Sequence, residues 1–130
     1  MPPRSGHRRA LWSLILLVGY WVLLFAATHM PLGDEAGLPW SGADKIIHMV
    51  LYCVLAVLGI RYLRALGPGC TRVKLLGWAG VCITYAGVDE WLQRFVGRTP
   101  SFWDWSADVA GVAAATLMHV VMKPPPRPDL

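Results

Sequence analysis

Charge is what this sequence has least of. Of its 130 residues, 15% are Asp, Glu, Lys or Arg, against about 25% in soluble domains, and 55% are hydrophobic. A soluble chain of this length, enough for one domain, does not bury so much apolar surface. That excludes an ordinary water-soluble globule and points to a membrane. Acidic residues are scarcer than basic ones, eight against twelve. The net charge of +4 sits at the ends of apolar runs, which fits membrane topology and not nucleic-acid binding. Cysteine is rare as well. Cys53, Cys70 and Cys82 are odd in number and lack metal-ligand spacing, which argues against a disulfide framework or a thiolate metal site. Two of them lie inside apolar runs, where Cys acts as a small hydrophobe.

Long apolar runs are what the chain does have. No charged residue falls between Arg9 and Asp34, so a first helix is predicted over 10–28, behind a basic N-terminal segment, 1–9. A cleaved signal peptide is the competing reading. The apolar core is long for one, and Phe25 stands third before the only suitable cleavage point, after Ala27, so an uncleaved helix is expected. Further helices are predicted over 41–62, 73–95 and 101–122, with turns at Gly67-Pro68-Gly69 and at 97–100. The Pro-rich end, 123–130, is expected to be disordered. The fold class that follows is all-α, a four-transmembrane-helix bundle over residues 10–122.

Basic residues occupy the N-terminal segment, the 61–74 loop and the tail. The 31–42 link carries Asp34 and Glu35 and no basic residue. Both termini are therefore expected on the cytoplasmic side, although Arg94 and Arg98 run against the bias. Trp12 and Trp78 fall near the inner interface and Trp40, Trp103 and Trp105 near the outer, as aromatic belts require. Trp21 lies mid-helix, facing lipid or a partner helix.

The uncharged runs are short at one end. Residues 46–60 make 15, while 75–88 and 109–122 make 14 each, all below the roughly 20 apolar residues of a span. At about 1.5 Å per residue, Asp89 lies roughly 20 Å into a hydrocarbon core about 30 Å thick. Three helices thus bring polar groups to one depth in the outer leaflet, which implies a shared pocket open to the outside.

Asp44, His48 and Tyr52 share a face of the second helix at one-turn spacing. Asp89, Glu90 and Gln93 cover one broad face of the third, with Arg94 at i+4 from Glu90. On the fourth, Asp104 and Asp108 align with Gly111 and Ala115, small residues suited to close helix approach. Plainer roles compete. Ser41-x-x-Asp44 and Ser101-x-x-Asp104 match the capping box, so either Asp can be a cap. Glu90–Arg94 reads as a simple ion pair, Lys45 as a snorkelling anchor, and Tyr52 and Tyr85 as packing. His48 on its own is equally well a residue bonding a backbone carbonyl. Asp108 lies too deep to cap, and is expected to be ionised because several Arg and Lys residues share its depth.

Three blocks, D-K-I-I-H-M-V-L-Y at 44–52, D-E-W-L-Q at 89–93 and R-T-P-S-F-W-D-W-S-A-D-V-A-G at 98–111, resemble the VanZ-like family of small bacterial membrane proteins. The resemblance spans roughly residues 11–122. It matches the family's D-K-x-x-H followed by Tyr, its acidic-x-x-x-Gln step, and its Arg followed by Asp-x-x-x-Asn-x-x-Gly. Asp108 departs from it, standing where many members carry Asn. The family is named for a protein implicated in resistance to the glycopeptide teicoplanin, whose target is lipid-linked cell-wall precursor. The resemblance therefore implies a multi-pass protein of the bacterial cell membrane with an envelope role.

Three functions follow from these residues. The first is a binding module for a headgroup or envelope glycolipid. There Asp89, Glu90 and Asp108 accept, and Lys45, Arg94 and Arg98 contact phosphate. The second is an intramembrane enzyme, in which the acids and His48 hold Mg²⁺, Mn²⁺ or Ca²⁺ and activate water against a lipid phosphate ester. The third is a transporter or proton relay, opposed by the uncharged inner halves of the helices. Binding ranks first. The bilayer, and with it a lipid-linked precursor, is the expected partner.

Overall fold

The computed structural model describes residues 4–30 and 42–122. The 31–41 link with Trp40, the Ser41 half of the first capping box and the Pro-rich tail lie outside them. The described residues form α1 (Arg4–His29), α2 (Ala43–Ala65), α3 (Arg72–Gln93), a 3₁₀ turn (Arg94–Val96) and α4 (Phe102–Val121). α1 begins inside the segment expected to precede it, since nothing among Arg8, Arg9, Ala10 and Leu11 opposes a helix.

Local chemistry sets the remaining ends. Thr71 caps α3, its hydroxyl accepting the Lys74 N–H at 3.4 Å. α3 tightens into the 3₁₀ turn and stops at Gly97, whose φ of +80° disfavours any side chain. Ser101 caps α4 by accepting the Asp104 N–H at 3.4 Å.

α2 is the central element, packed on the other three helices and most extensively on α4. Gly111 permits that closeness, because a Cβ there would run into the Met49 backbone carbonyl. Tyr52, Leu55 and Ala56 of α2 meet Val112 and Ala115 of α4, Cys82 and Ala86 of α3, and Leu17 and Leu24 of α1 in one core. The Trp78 indole packs where a Gly59 Cβ would stand and donates Nε1–H to the Ala56 carbonyl at 3.1 Å. Trp78, expected at the inner interface, is thus a packing residue between α3 and α2. Trp21 meets a partner helix, edge-on to Trp78 and Tyr85 at 5.6 and 5.0 Å between ring centroids.

α1 and α2 are long and apolar enough to cross a membrane, and only 11% and 33% of their apolar stretches are buried in the bundle. A soluble protein's core helix would be mostly covered. By the same measure α3 and α4 are not among the candidates, because polar residues interrupt their facing ends. Large apolar side chains, Val22, Leu23, Val73, Leu76 and Phe102 among them, stand on the outside.

Candidate functional site

The antiparallel course of the helices brings the C-terminal ends of α1 and α3 beside the N-terminal ends of α2 and α4. Thr28, His48, Asp89, Glu90, Gln93, Asp104 and Asp108 are all buried at that end. They divide into two groups and a rim.

The first group joins α2, α3 and α4. His48 Nδ1 lies 3.1 Å from Asp108 Oδ1, with both side chains almost fully buried. An ionised carboxylate only accepts, so with Asp108 ionised the imidazole donates its Nδ1–H to it. Glu90 arrives from α3, its Oε1 accepting the Ser101 N–H while Oε2 is buried without a hydrogen-bond partner among the described residues. Ligand-type atoms of His48, Glu90 and Asp108 all lie within 4.8 Å of one another.

The second group centres on Asp89, which the helical turn of about 100° per residue directs away from Glu90. Its Oδ1 accepts from the Thr28 hydroxyl at 3.1 Å and the Tyr85 hydroxyl at 3.3 Å, and its Oδ2 from Gln93 Nε2 at 3.4 Å. His29 Nδ1 lies 3.5 Å from the same Oδ1. His48, Asp89 and Asp108 were expected around one cavity, and Asp89 instead faces α1. Tyr52 stands between the groups, fully buried and near enough to feel both Asp89 and Asp108. Its hydroxyl has no hydrogen-bond partner among the described residues.

The rim holds the half-buried charges Asp44, Lys45 and Arg98. Lys45 Nζ reaches Asp44 Oδ2 and Asp104 Oδ1, each at 3.2 Å, so it links α2 to α4 and is more than an anchor. Arg98 donates Nη1–H to the Thr28 carbonyl at 3.1 Å, fastening the α3–α4 turn to the end of α1. Thr28, Asp44, His48 and Arg98 border one cavity of about 140 Å³. A second, of about 240 Å³, runs past Glu90 between Trp91, Phe102 and Trp105.

Three expectations need correction. Glu90 and Arg94 form no ion pair, because the Arg94 guanidinium lies over the Trp91 ring, 3.8 Å from its centroid, and Glu90 turns inward to Ser101. The second capping box is half made. Ser101 caps Asp104, but the return bond to the Ser101 N–H comes from Glu90, leaving Asp104 for Lys45. Finally, Asp108 is partnered by His48 and, among the described residues, by no Lys or Arg. Thr28 and His29 were not anticipated as site residues; their one signal was that polar side chains end the first apolar run at the same depth.

Compared with family models, curated proteins and solved structures, the chain matches none of them. The VanZ-like resemblance rests on the three sequence blocks alone.

Proposed function

We propose that this chain is a multi-pass membrane protein, VanZ-like in its sequence blocks, that holds an envelope lipid's headgroup at the outer end of a four-span bundle. Both termini are then cytoplasmic, as the basic-residue bias requires. Support for the membrane comes from α1 and α2, whose apolar stretches lie largely uncovered. α3 and α4, at 22 and 20 residues, are about 33 and 30 Å long and match a hydrocarbon core of about 30 Å. Their polar ends are tolerated because nearly every group there finds a partner.

The observation that carries the binding reading is the 140 Å³ cavity bordered by Asp44, Arg98, His48 and Thr28. Arg98 spends one N–H on Thr28 and keeps the rest for a phosphate. Asp44, on the same cavity, bonds Lys45 through Oδ2 and keeps Oδ1 for an ammonium. Pockets that enclose whole ligands measure about 300–1,000 Å³, so this one takes a headgroup and leaves acyl chains along the apolar helix faces. Lys45 and Arg94, expected on phosphate, are committed to Asp104 and to Trp91. A second reading, hydrolysis of a lipid phosphate ester, is favoured by the His48–Asp108 dyad, which has the geometry of an oriented base.

The test is titration of detergent-purified protein with short-chain phosphatidylethanolamine and, separately, a short-chain isoprenyl diphosphate, followed by tryptophan fluorescence. Saturable binding that is weakened at least about tenfold by Arg98→Gln is expected, a lost charged hydrogen bond being worth that much. Asp44→Asn should weaken only the ethanolamine lipid. Binding unchanged by Arg98→Gln refutes the headgroup site.

A further inference from the structure

Glu90 has no part in the headgroup cavity. It is 6% exposed, and one of its two oxygens is buried with nothing to bond among the described residues. An unpaired carboxylate oxygen in the interior is costly, so its position calls for a positive partner. None of the neighbouring cations supplies one: Lys45 is held by Asp44 and Asp104, Arg98 by the Thr28 carbonyl, and Arg94 lies on Trp91. What Glu90 does approach is His48 from α2 and Asp108 from α4, the three ligand-type atoms falling within 4.8 Å of one another. Two carboxylates and one imidazole, from three helices, converge on a single point.

We propose that His48, Glu90 and Asp108 form a divalent transition-metal site that ties α2, α3 and α4 together. Metal bonds of about 2.0–2.2 Å set ligand atoms roughly 3–4 Å apart, so small side-chain rotations close the observed spacing, and the proton between His48 and Asp108 is released to solvent as the metal binds. A donor set of one nitrogen and two carboxylates suits Mn²⁺ or Zn²⁺. Ca²⁺ takes six to eight oxygens and Mg²⁺ keeps most of its water, so the imidazole disfavours both. Three protein ligands leave a coordination position for water. Asp108 makes the site stronger than the family's Asn would, because a carboxylate binds a cation with its charge and an amide does not.

The experiment uses the full chain in detergent, free of any affinity tag, stripped with EDTA and titrated with Mn²⁺ while the free-ion electron paramagnetic resonance signal is followed. No lipid is added, so the outcome is independent of the headgroup reading. One Mn²⁺ per chain should be taken up and then displaced by Zn²⁺, which stands above it in affinity order. Changes outside the ligand shell already cost about 10–100-fold, so Glu90→Gln and Asp108→Asn should each weaken uptake by at least tenfold. Arg94→Gln should leave uptake unchanged. Absence of saturable uptake by the wild type, or equal uptake by the Glu90 and Asp108 variants, overturns the site. Should those variants not fold, the wild type decides alone: its unfolding temperature must rise with Zn²⁺ over EDTA, and no rise refutes the proposal.

Discussion

Asp108→Asn and Asp108→Ala separate what the carboxylate does by charge from what it does by position. Both side chains of the His48–Asp108 pair are buried, 5% and 1% exposed, and joined at 3.1 Å. Alanine removes the acceptor and leaves a buried imidazole N–H with no partner, at a cost of about 1–3 kcal/mol. If the imidazole is charged, that cost rises to about 3–5 kcal/mol, because an unpaired charge stays inside. Asparagine keeps an oxygen where the N–H can still donate. It exchanges a charge-assisted bond, worth about 1.5–3 kcal/mol, for a neutral one of about 0.5–1.5, a loss near 1 kcal/mol. Its amide also offers a donor to the open Glu90 oxygen. With a Lys or Arg as partner the same change would cost about 3–5 kcal/mol, and with His48 as partner that larger loss does not apply. The assay is reversible unfolding in mixed micelles at neutral pH, with EDTA present so that no cation contributes. Alanine should cost at least twice as much as Asn. His48→Ala combined with Asp108→Ala should cost clearly less than the two single changes summed. Equal losses for Asn and Ala, with His48→Ala fully additive, would show that the pair is not a bond that matters to the fold.

Two further outcomes bear on the frame. Gly111→Ala sets a Cβ against the Met49 backbone carbonyl, which cannot rotate away, and should destabilise by about 1–3 kcal/mol in the same assay. Gly77→Ala meets nothing within 4 Å and should be neutral or stabilising by about 0.5–1 kcal/mol; the opposite order would contradict the α2–α4 packing. For topology, Leu66→Cys in a background lacking Cys53, Cys70 and Cys82 should resist an impermeant thiol reagent added outside whole cells. Labelling from outside would reverse the orientation argued from basic residues.

Element number and type were legible in the sequence, because apolar runs and turn residues report local preferences. Gly67-Pro68-Gly69 and Gly97-Arg98-Thr99-Pro100 break the chain where backbone conformation requires it, and the helices fall within a few residues of expectation except at the start of α1. Asp44, His48, Glu90, Asp104 and Asp108 were also recognisable as a set, since helix spacing puts ionisable groups at one depth. Their pairing was not. Glu90 and Arg94 satisfy the i,i+4 rule, yet one turns inward to Ser101 and the other lies on Trp91, because a buried backbone N–H and an aromatic face compete for them. Asp89 and Glu90 are neighbours in sequence and face different helices, a division set by where α1 and α4 lie against α3. Thr28 and His29 enter the site only because α1 ends beside Asp89, which no local pattern encodes. Depth follows from position along a helix and can be counted. Which side chains meet depends on how each helix is rotated about its axis, and that is decided by packing, above all by Gly111 against the backbone of α2.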